Sequence, residues 1–128
     1  MADSTKTLQQ LKDIAAKFVY DRDWEQFHSP KNLSINIAIE AAELMEKFVW
    51  LTTQESIEEI EKNRQEISDE LADVLLSILC FANTAKIDLS DAFETKLAEV
   101  GKKYPIETSK GSKAKYTQLR KEWDKKNK

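Results

Sequence analysis

The chain has 128 residues, of which 34% are charged and 41% hydrophobic, with two Gly, two Pro and one Cys. That length suits a single domain, and so few Gly and Pro exclude the turn-rich sequence of an all-β fold. The net charge of −3 hides a split: residues 101–128 hold ten Lys/Arg against three Asp/Glu, while 1–100 hold ten against twenty.

In chain order, the first predicted helix runs from about Thr5 to Tyr20, capped by Ser4 or Thr5, with Leu8, Leu11, Ile14, Ala15 and Phe18 at the three-four spacing of a buried stripe. Residues 21–31 read as a loop that crowds Trp24, Phe27 and His28 together just before Ser29-Pro30. Aromatic side chains in a polar loop either plug a core or form a ligand platform, and the spacing favours the plug. Ser29 and Pro30 suit the cap and first position of a second helix, over about Pro30–Trp50. Its expected buried ridge is Leu33, Ile37, Ala41, Leu44 and Phe48, widened by Ala38 and Met45. Lys47 is spaced to pair with Glu43. Phe48-Val49-Trp50-Leu51 is too apolar for an ordinary exposed helix end.

From Thr52 the pattern predicts either one long helix or a short one (about 54–62) running into a longer one (about 63–85). Ile60, Ile67, Leu71, Val74, Leu75, Ile78 and Leu79 trace its core face, and Cys80, alone and in an apolar run, reads as a buried structural thiol. Asp88 or Ser90 caps a further helix from Leu89 to about Lys103, with Ala92, Phe93, Leu97 and Val100 inward. Gly101 and Pro105 bracket its end. The remaining residues, 106–128, form a polar basic tail in which Tyr116, Leu119 and Trp123 keep a three-four spacing suited to docking. The expected fold is therefore all-α, a four-helix-type bundle over about 5–105 with a basic C-terminal tail, in one domain. The opening residues lack the apolar core of a signal peptide, and no apolar run approaches the ~20 residues of a membrane span. A cytoplasmic chain with no membrane partner is expected.

Two acid pairs stand out. Glu40-Ala-Ala-Glu43 and Glu70-Leu-Ala-Asp73 each place two carboxylates three residues apart on a predicted helix, hence on one face. Taken alone, Glu40 and Glu43 fit a solvated face. Glu70 and Asp73 precede Val-Leu-Leu-Ser-Ile-Leu, so their face is at least half-buried. If the two helices pack antiparallel the four acids converge, and converged anions that lose water need a counter-ion. Oxygen-only ligands favour Mg2+, with Mn2+ or calcium as alternatives. A di-iron carboxylate centre needs two Glu-x-x-His motifs, and the chain has one histidine. No glycine-rich phosphate loop occurs. An acidic body also argues against nucleic acid as a partner. What remains is a metal-binding acid cluster, a pool of aromatic side chains and a basic tail: the parts needed to hold a nucleoside triphosphate.

These residues carry a family resemblance. Glu40-x-x-Glu43 followed by Glu70-x-x-Asp73 resembles the signature of the MazG-like all-α nucleoside triphosphate pyrophosphohydrolases. Arg22-Asp-Trp-Glu-Gln-Phe-His-Ser-Pro-Lys-Asn-Leu33 looks like the loop leading into the helix in the dCTP pyrophosphatase branch. So do Phe48-Val-Trp50, Ile87-Asp-Leu89, Lys103-Tyr-Pro105 and Gly111-Ser-Lys-Ala-Lys-Tyr-Thr117, and the similarity spans about residues 8–119. The resemblance implies a helical bundle that pairs into a homodimer or homotetramer and converts dNTP and water to dNMP and pyrophosphate. It implies Mg2+ on Glu40, Glu43, Glu70 and Asp73, one of which activates the water. It places the base against Trp24 and Trp50, with Phe27 and His28 lining the same pocket. Lys115 and Tyr116 match a tail that closes over the phosphates from a neighbouring subunit. The preference for dCTP or a modified dCTP comes from the resemblance alone. A broader or dUTP-preferring pyrophosphatase and a non-catalytic nucleotide-binding scaffold are the alternatives. Two positions depart from the family pattern: Ser77 stands where an aromatic residue is common, and Val100 where an asparagine is common. Both predict a roomier pocket or a different ranking of bases.

Overall fold

The computed structural model describes residues 1–128, in helices and turns with no strand. Seven α-helices follow one another: α1 Leu8–Asp21, α2 Pro30–Glu46, α3 Thr53–Lys62, α4 Arg64–Ala85, α5 Leu89–Lys103, α6 Ile106–Ser109 and α7 Tyr116–Lys126. Short 3-10 turns occupy Ala2–Ser4 and Glu25–Phe27. No helix is long and apolar enough to cross a membrane.

Local chemistry sets the helix ends. The cap of α1 is Thr7, not Ser4 or Thr5, because Thr7 and Gln10 form a reciprocal capping box. Ser29 caps α2 by accepting from the Asn32 N–H, with Pro30 in the first position. The second helix stops at Glu46 rather than Trp50; Lys47 and Phe48 hydrogen-bond back three residues, to Leu44 and Met45, and the chain leaves as turns. A second capping box, Thr52 with Glu55, starts α3. Asn63, at φ −126° and ψ 36°, separates α3 from α4, so of the two expected arrangements the short helix followed by a longer one is adopted. Lys86 ends α4 in the left-handed region, and Asp88 caps α5.

The chain divides into two compact units, Met1–Ile87 and Asp88–Lys128. In the first, α2 and α1 both pack chiefly on α4. Val19, Leu33 and Cys80 meet at the centre, with Phe81 against them. The α2–α4 seam is antiparallel and keeps its register: Leu33 meets Cys80, Asn36 meets Ser77 and Lys47 meets Glu66. Each step up α2 is matched by an equal step down α4. Lys12 and Asn83 add ties between α1 and the end of α4, through Lys12 Nζ to the Ile87 carbonyl at 2.8 Å and Asn83 Nδ2 to the Lys12 carbonyl at 2.9 Å.

In the second unit α6 packs on α7, and Leu119 is buried. The basic end is thus partly helical, and its Tyr116 ring meets Tyr104 edge-on, with centroids 5.9 Å apart.

Several residues expected in the core are exposed in the single chain. On α1, Ala15 and Val19 are buried, whereas Ile14 and Phe18 are exposed. Ala38, Ala41 and Met45 on α2, Ile60 on α3, and Leu71 and Leu75 on α4 are also exposed. So are Ala92, Phe93, Leu97 and Val100 on α5. Periodicity marks which face of a helix is apolar; whether one chain covers that face depends on how many neighbours the helix has. Replacing Leu33, which is 5% exposed at the α1–α2–α4 junction, with alanine should cost about 2–4 kcal/mol, read as a lower urea midpoint with unchanged slope. A loss below about 1 kcal/mol would place the core elsewhere.

Candidate metal and nucleotide site

Two helices build the acid cluster. Glu40 and Glu43 stand one turn apart on α2, and Glu70 and Asp73 one turn apart on α4. The antiparallel seam turns these two steps toward each other. One carboxylate oxygen each from Glu40, Glu43 and Glu70 lies within 4.8 Å of the others. Asp73 is outside that trio; it faces Glu40 across the wall of the adjoining cavity and acts on both Glu40 and Glu70 through its charge.

The cluster is electrostatically unsatisfied. Glu40 Oε2 and Glu70 Oε2 are buried without a hydrogen-bond partner. Burial, then a proton shared with Glu43, then the charges of Glu43, Asp73 and Glu70 hold the Glu40 carboxyl above its ordinary value. Burial, followed by the charge of Glu43, raises Glu70, and Lys47 offsets part of that rise. Lys47 does not pair with Glu43. It reaches across the seam to Glu66 Oε2 at 3.2 Å and to Glu70 Oε1 at 4.0 Å, because the α2 helix ends there and frees its side chain toward α4. One lysine at the edge leaves most of the negative charge unbalanced. Three converging carboxylates, two of which carry a buried oxygen without a partner, fit a divalent cation such as Mg2+ or Mn2+.

Beside the acids lies a cavity of about 340 Å³, and Glu40 and Asp73 form part of its wall. Its aromatic side is Phe18, Trp24 and Phe27, with His28 beside them, so the aromatic loop lines a cavity and does not plug the core. The loop is held in place. The Trp24 N–H donates to the Val19 carbonyl at 3.1 Å, and the Trp24 ring meets Phe18 edge-on at 5.7 Å. Arg22 lies over the Phe18 ring, 3.6 Å from its centroid. Asn32 Nδ2 donates to the Phe27 carbonyl at 3.0 Å and ties the 3-10 turn to α2. Asp23 takes a positive φ of 54° to make the bend. Cys80 also lines the cavity, and burial pushes its thiol up, which suits a structural role rather than a nucleophilic one.

The other sequence-predicted residues stand elsewhere. Trp50 lies outside this cavity and is 92% exposed, because α2 unwinds before it. Tyr116 lines a different cavity in the second unit, of about 780 Å³, with Lys102, Lys103, Arg120 and Trp123. Lys115 precedes α7 as its N-cap residue and does not line that cavity. Sequence reasoning missed Asn36. It lines the same cavity as Ser77 and hydrogen-bonds to it. Its spacing, four residues before Glu40, was the available signal.

A profile of the MazG-like family matches residues 35–119. Among curated proteins, the chain is 35% identical over 118 residues to dCTP pyrophosphatase 1 of Bos taurus, covering 91% of this chain and 70% of that protein. It is 36% identical over 115 residues to dCTP pyrophosphatase 1 of Mus musculus, covering 88% of this chain and 68% of that one. Among solved structures, a pyrophosphatase from Archaeoglobus fulgidus superposes with a TM-score of 0.74 at 37% identity, over 77% of this chain and 92% of that chain.

The raised carboxyls make a stability prediction. A carboxyl raised in the folded state favours folding while protonated; that contribution is complete below the ordinary value of 4.5 and is lost as pH rises through the raised one. At neutral pH without divalent cations, Glu40→Gln and Glu70→Gln should therefore raise the thermal midpoint by roughly 2–5 °C. The gain should vanish at acid pH, where the parent is already protonated. Magnesium should raise the midpoint of the parent and not that of the variants. A neutral-pH midpoint lowered by both substitutions would contradict this electrostatic picture.

Proposed function

The chain belongs to the MazG-like family, and we propose that it is a metal-dependent nucleoside triphosphate pyrophosphohydrolase acting on dCTP or a modified dCTP. The carrying observation is the junction of an unsatisfied trio of carboxylates with an aromatic-walled cavity, sharing Glu40. The relatives' names supply the substrate and reaction class.

In this reading residues 1–128 form one functional domain. The base stacks within Phe18, Trp24 and Phe27, with His28 at the side, and the triphosphate runs toward the acids. Glu40, Glu43 and Glu70 would hold Mg2+ (or Mn2+), with Asp73 as the fourth acid beside them. The cation supplies positive charge to screen the triphosphate and Lewis acidity at phosphorus. A bound cation would offset the burial of Glu40 and Glu70 and favour their ionised form. Water attacks the α-phosphorus in line, and its proton passes to Glu40 or Asp73, the two acids that also border the nucleotide cavity. The α–β phosphoanhydride bond breaks, and dNMP and pyrophosphate leave.

We further read the enzyme as a cytoplasmic homodimer or homotetramer that binds neither nucleic acid nor membrane. Support for assembly comes from the exposed apolar side chains: Phe93 and Leu97 on α5, and Val49 and Trp50 after α2. Lys115 and Tyr116 then close on the phosphates, and Trp50 on the base, from within such an assembly.

Incubation with each dNTP and magnesium tests the reaction. Pyrophosphate and dNMP are expected, with dCTP turned over fastest and solvent 18O appearing in the monophosphate. Orthophosphate as the product would overturn the mechanism. Glu43→Ala and Asp73→Ala should each lower kcat/KM by at least about 100-fold. Unchanged turnover in both would favour the scaffold alternative.

A further inference from the structure

We infer that Asn36, held in one orientation by Ser77, reads the hydrogen-bonding edge of the base and selects cytosine over uracil. This rests on the nucleotide reading of the α2–α4 cavity given above. Most of that cavity's wall is aromatic or aliphatic, including Phe18, Trp24, Phe27, Leu33 and Leu76. Such surfaces bind by stacking, which every base accepts. They do not separate cytosine from uracil, whose rings have the same size. The two differ at one edge. Cytosine offers an amine donor beside a ring-nitrogen acceptor; uracil offers a carbonyl acceptor beside an N–H donor.

Discrimination therefore needs a polar group with a fixed donor–acceptor order. Asn32 is also fixed, its Nδ2 donating to the Phe27 carbonyl, but it stands at the loop end of α2, a turn farther from the acids than Asn36. His28 can change tautomer to suit either edge. Asn36 is different. Its Nδ2 donates to Ser77 Oγ at 2.7 Å. Ser77 is 4% exposed, and its hydroxyl donates to the Asp73 carbonyl one turn back at 3.0 Å. A hydroxyl carries one proton. With that proton committed to Asp73, the oxygen can only accept from Asn36, so the amide must present its nitrogen. A flipped amide would set two oxygens against each other with no proton between them.

The consequence lies on the free side of the amide. Asn36 keeps Oδ1 as an acceptor and its second N–H as a donor for whatever enters the cavity. That order complements the amine and ring nitrogen of cytosine and opposes the carbonyl and N–H of uracil. Adenine shows the same order as cytosine and is distinguished by size, not by this pair. Asn36 is thus a specificity-determining residue, and Ser77 a positioning residue that acts through it. The antiparallel seam makes the pair possible, one turn above the acids.

The test is kcat/KM for dCTP and for dUTP, measured with magnesium on the full chain, its Asn36→Ala variant and its Ser77→Ala variant. The parent should favour dCTP. Asn36→Ala should lower the dCTP-to-dUTP ratio roughly 10- to 100-fold. Ser77→Ala, which frees the amide to turn, should lower it by roughly 3- to 10-fold. Damage to helix packing alone would slow both substrates alike and leave the ratio unchanged. Should Asn36→Ala fail to fold, the Ser77→Ala ratio decides. An unchanged ratio in the folded variants, or a parent that releases pyrophosphate without preferring dCTP, overturns this inference and leaves the proposed reaction standing. A parent that releases pyrophosphate from no dNTP overturns both.

Discussion

The register of α2 on α4 is the constraint on which the rest depends. Five successive layers run along that seam: Leu33 with Cys80, Asn36 with Ser77, Glu40 with Asp73, Glu43 with Glu70, and Lys47 with Glu66. They grade from apolar through neutral polar to charged. The apolar end anchors the two helices, which is why the charged end can be held together against its own repulsion. A slip of one residue on either helix would rotate its layers by about a quarter turn and scatter the acids.

The cost of this arrangement falls on the acid cluster. Two buried oxygens without partners, on carboxyls held above their ordinary range, are a locally unfavourable feature in a folded chain. Apolar residues there would pack more stably. The packing of Val19, Leu33 and Cys80 nearby offsets the expense. A site of this kind is built to receive positive charge, and its instability without a cation is the measure of how strongly it would hold one.

A similar division of labour shapes the aromatic loop. Trp24 and Phe27 are not free to sink into the core, because the Trp24 N–H bond to the Val19 carbonyl and the Asn32 side-chain bond to the Phe27 carbonyl fix the turn that carries them. Their rings remain partly exposed along the cavity. Rigid aromatic walls lose little entropy on stacking, so binding strength and base choice can reside in different residues. Stacking supplies the first; the amide of Asn36 supplies the second under the inference drawn above.

Much was legible before any coordinates. Helix positions followed from apolar spacing and capping residues, with errors of a few residues at Thr7 and Glu46, where a capping box and an early unwinding outweigh periodicity. Glu40 could be grouped with Glu43, and Glu70 with Asp73, because a three-residue step keeps two carboxylates on one face of a helix whatever surrounds it. Partners across the seam could not be read, since distances between helices depend on packing and not on spacing along the chain. That is why Lys47, spaced to pair with Glu43, instead meets Glu66, and why the pairing of Asn36 with Ser77, 41 residues apart, is not legible in the sequence. Sequence by itself determined the helices, their apolar faces and the acid pairs, all of which are local properties of a 3.6-residue repeat. Only the tertiary structure decided which acids converge, which aromatic rings line the cavity and which way an amide faces, because each of these is fixed by atoms on a different helix.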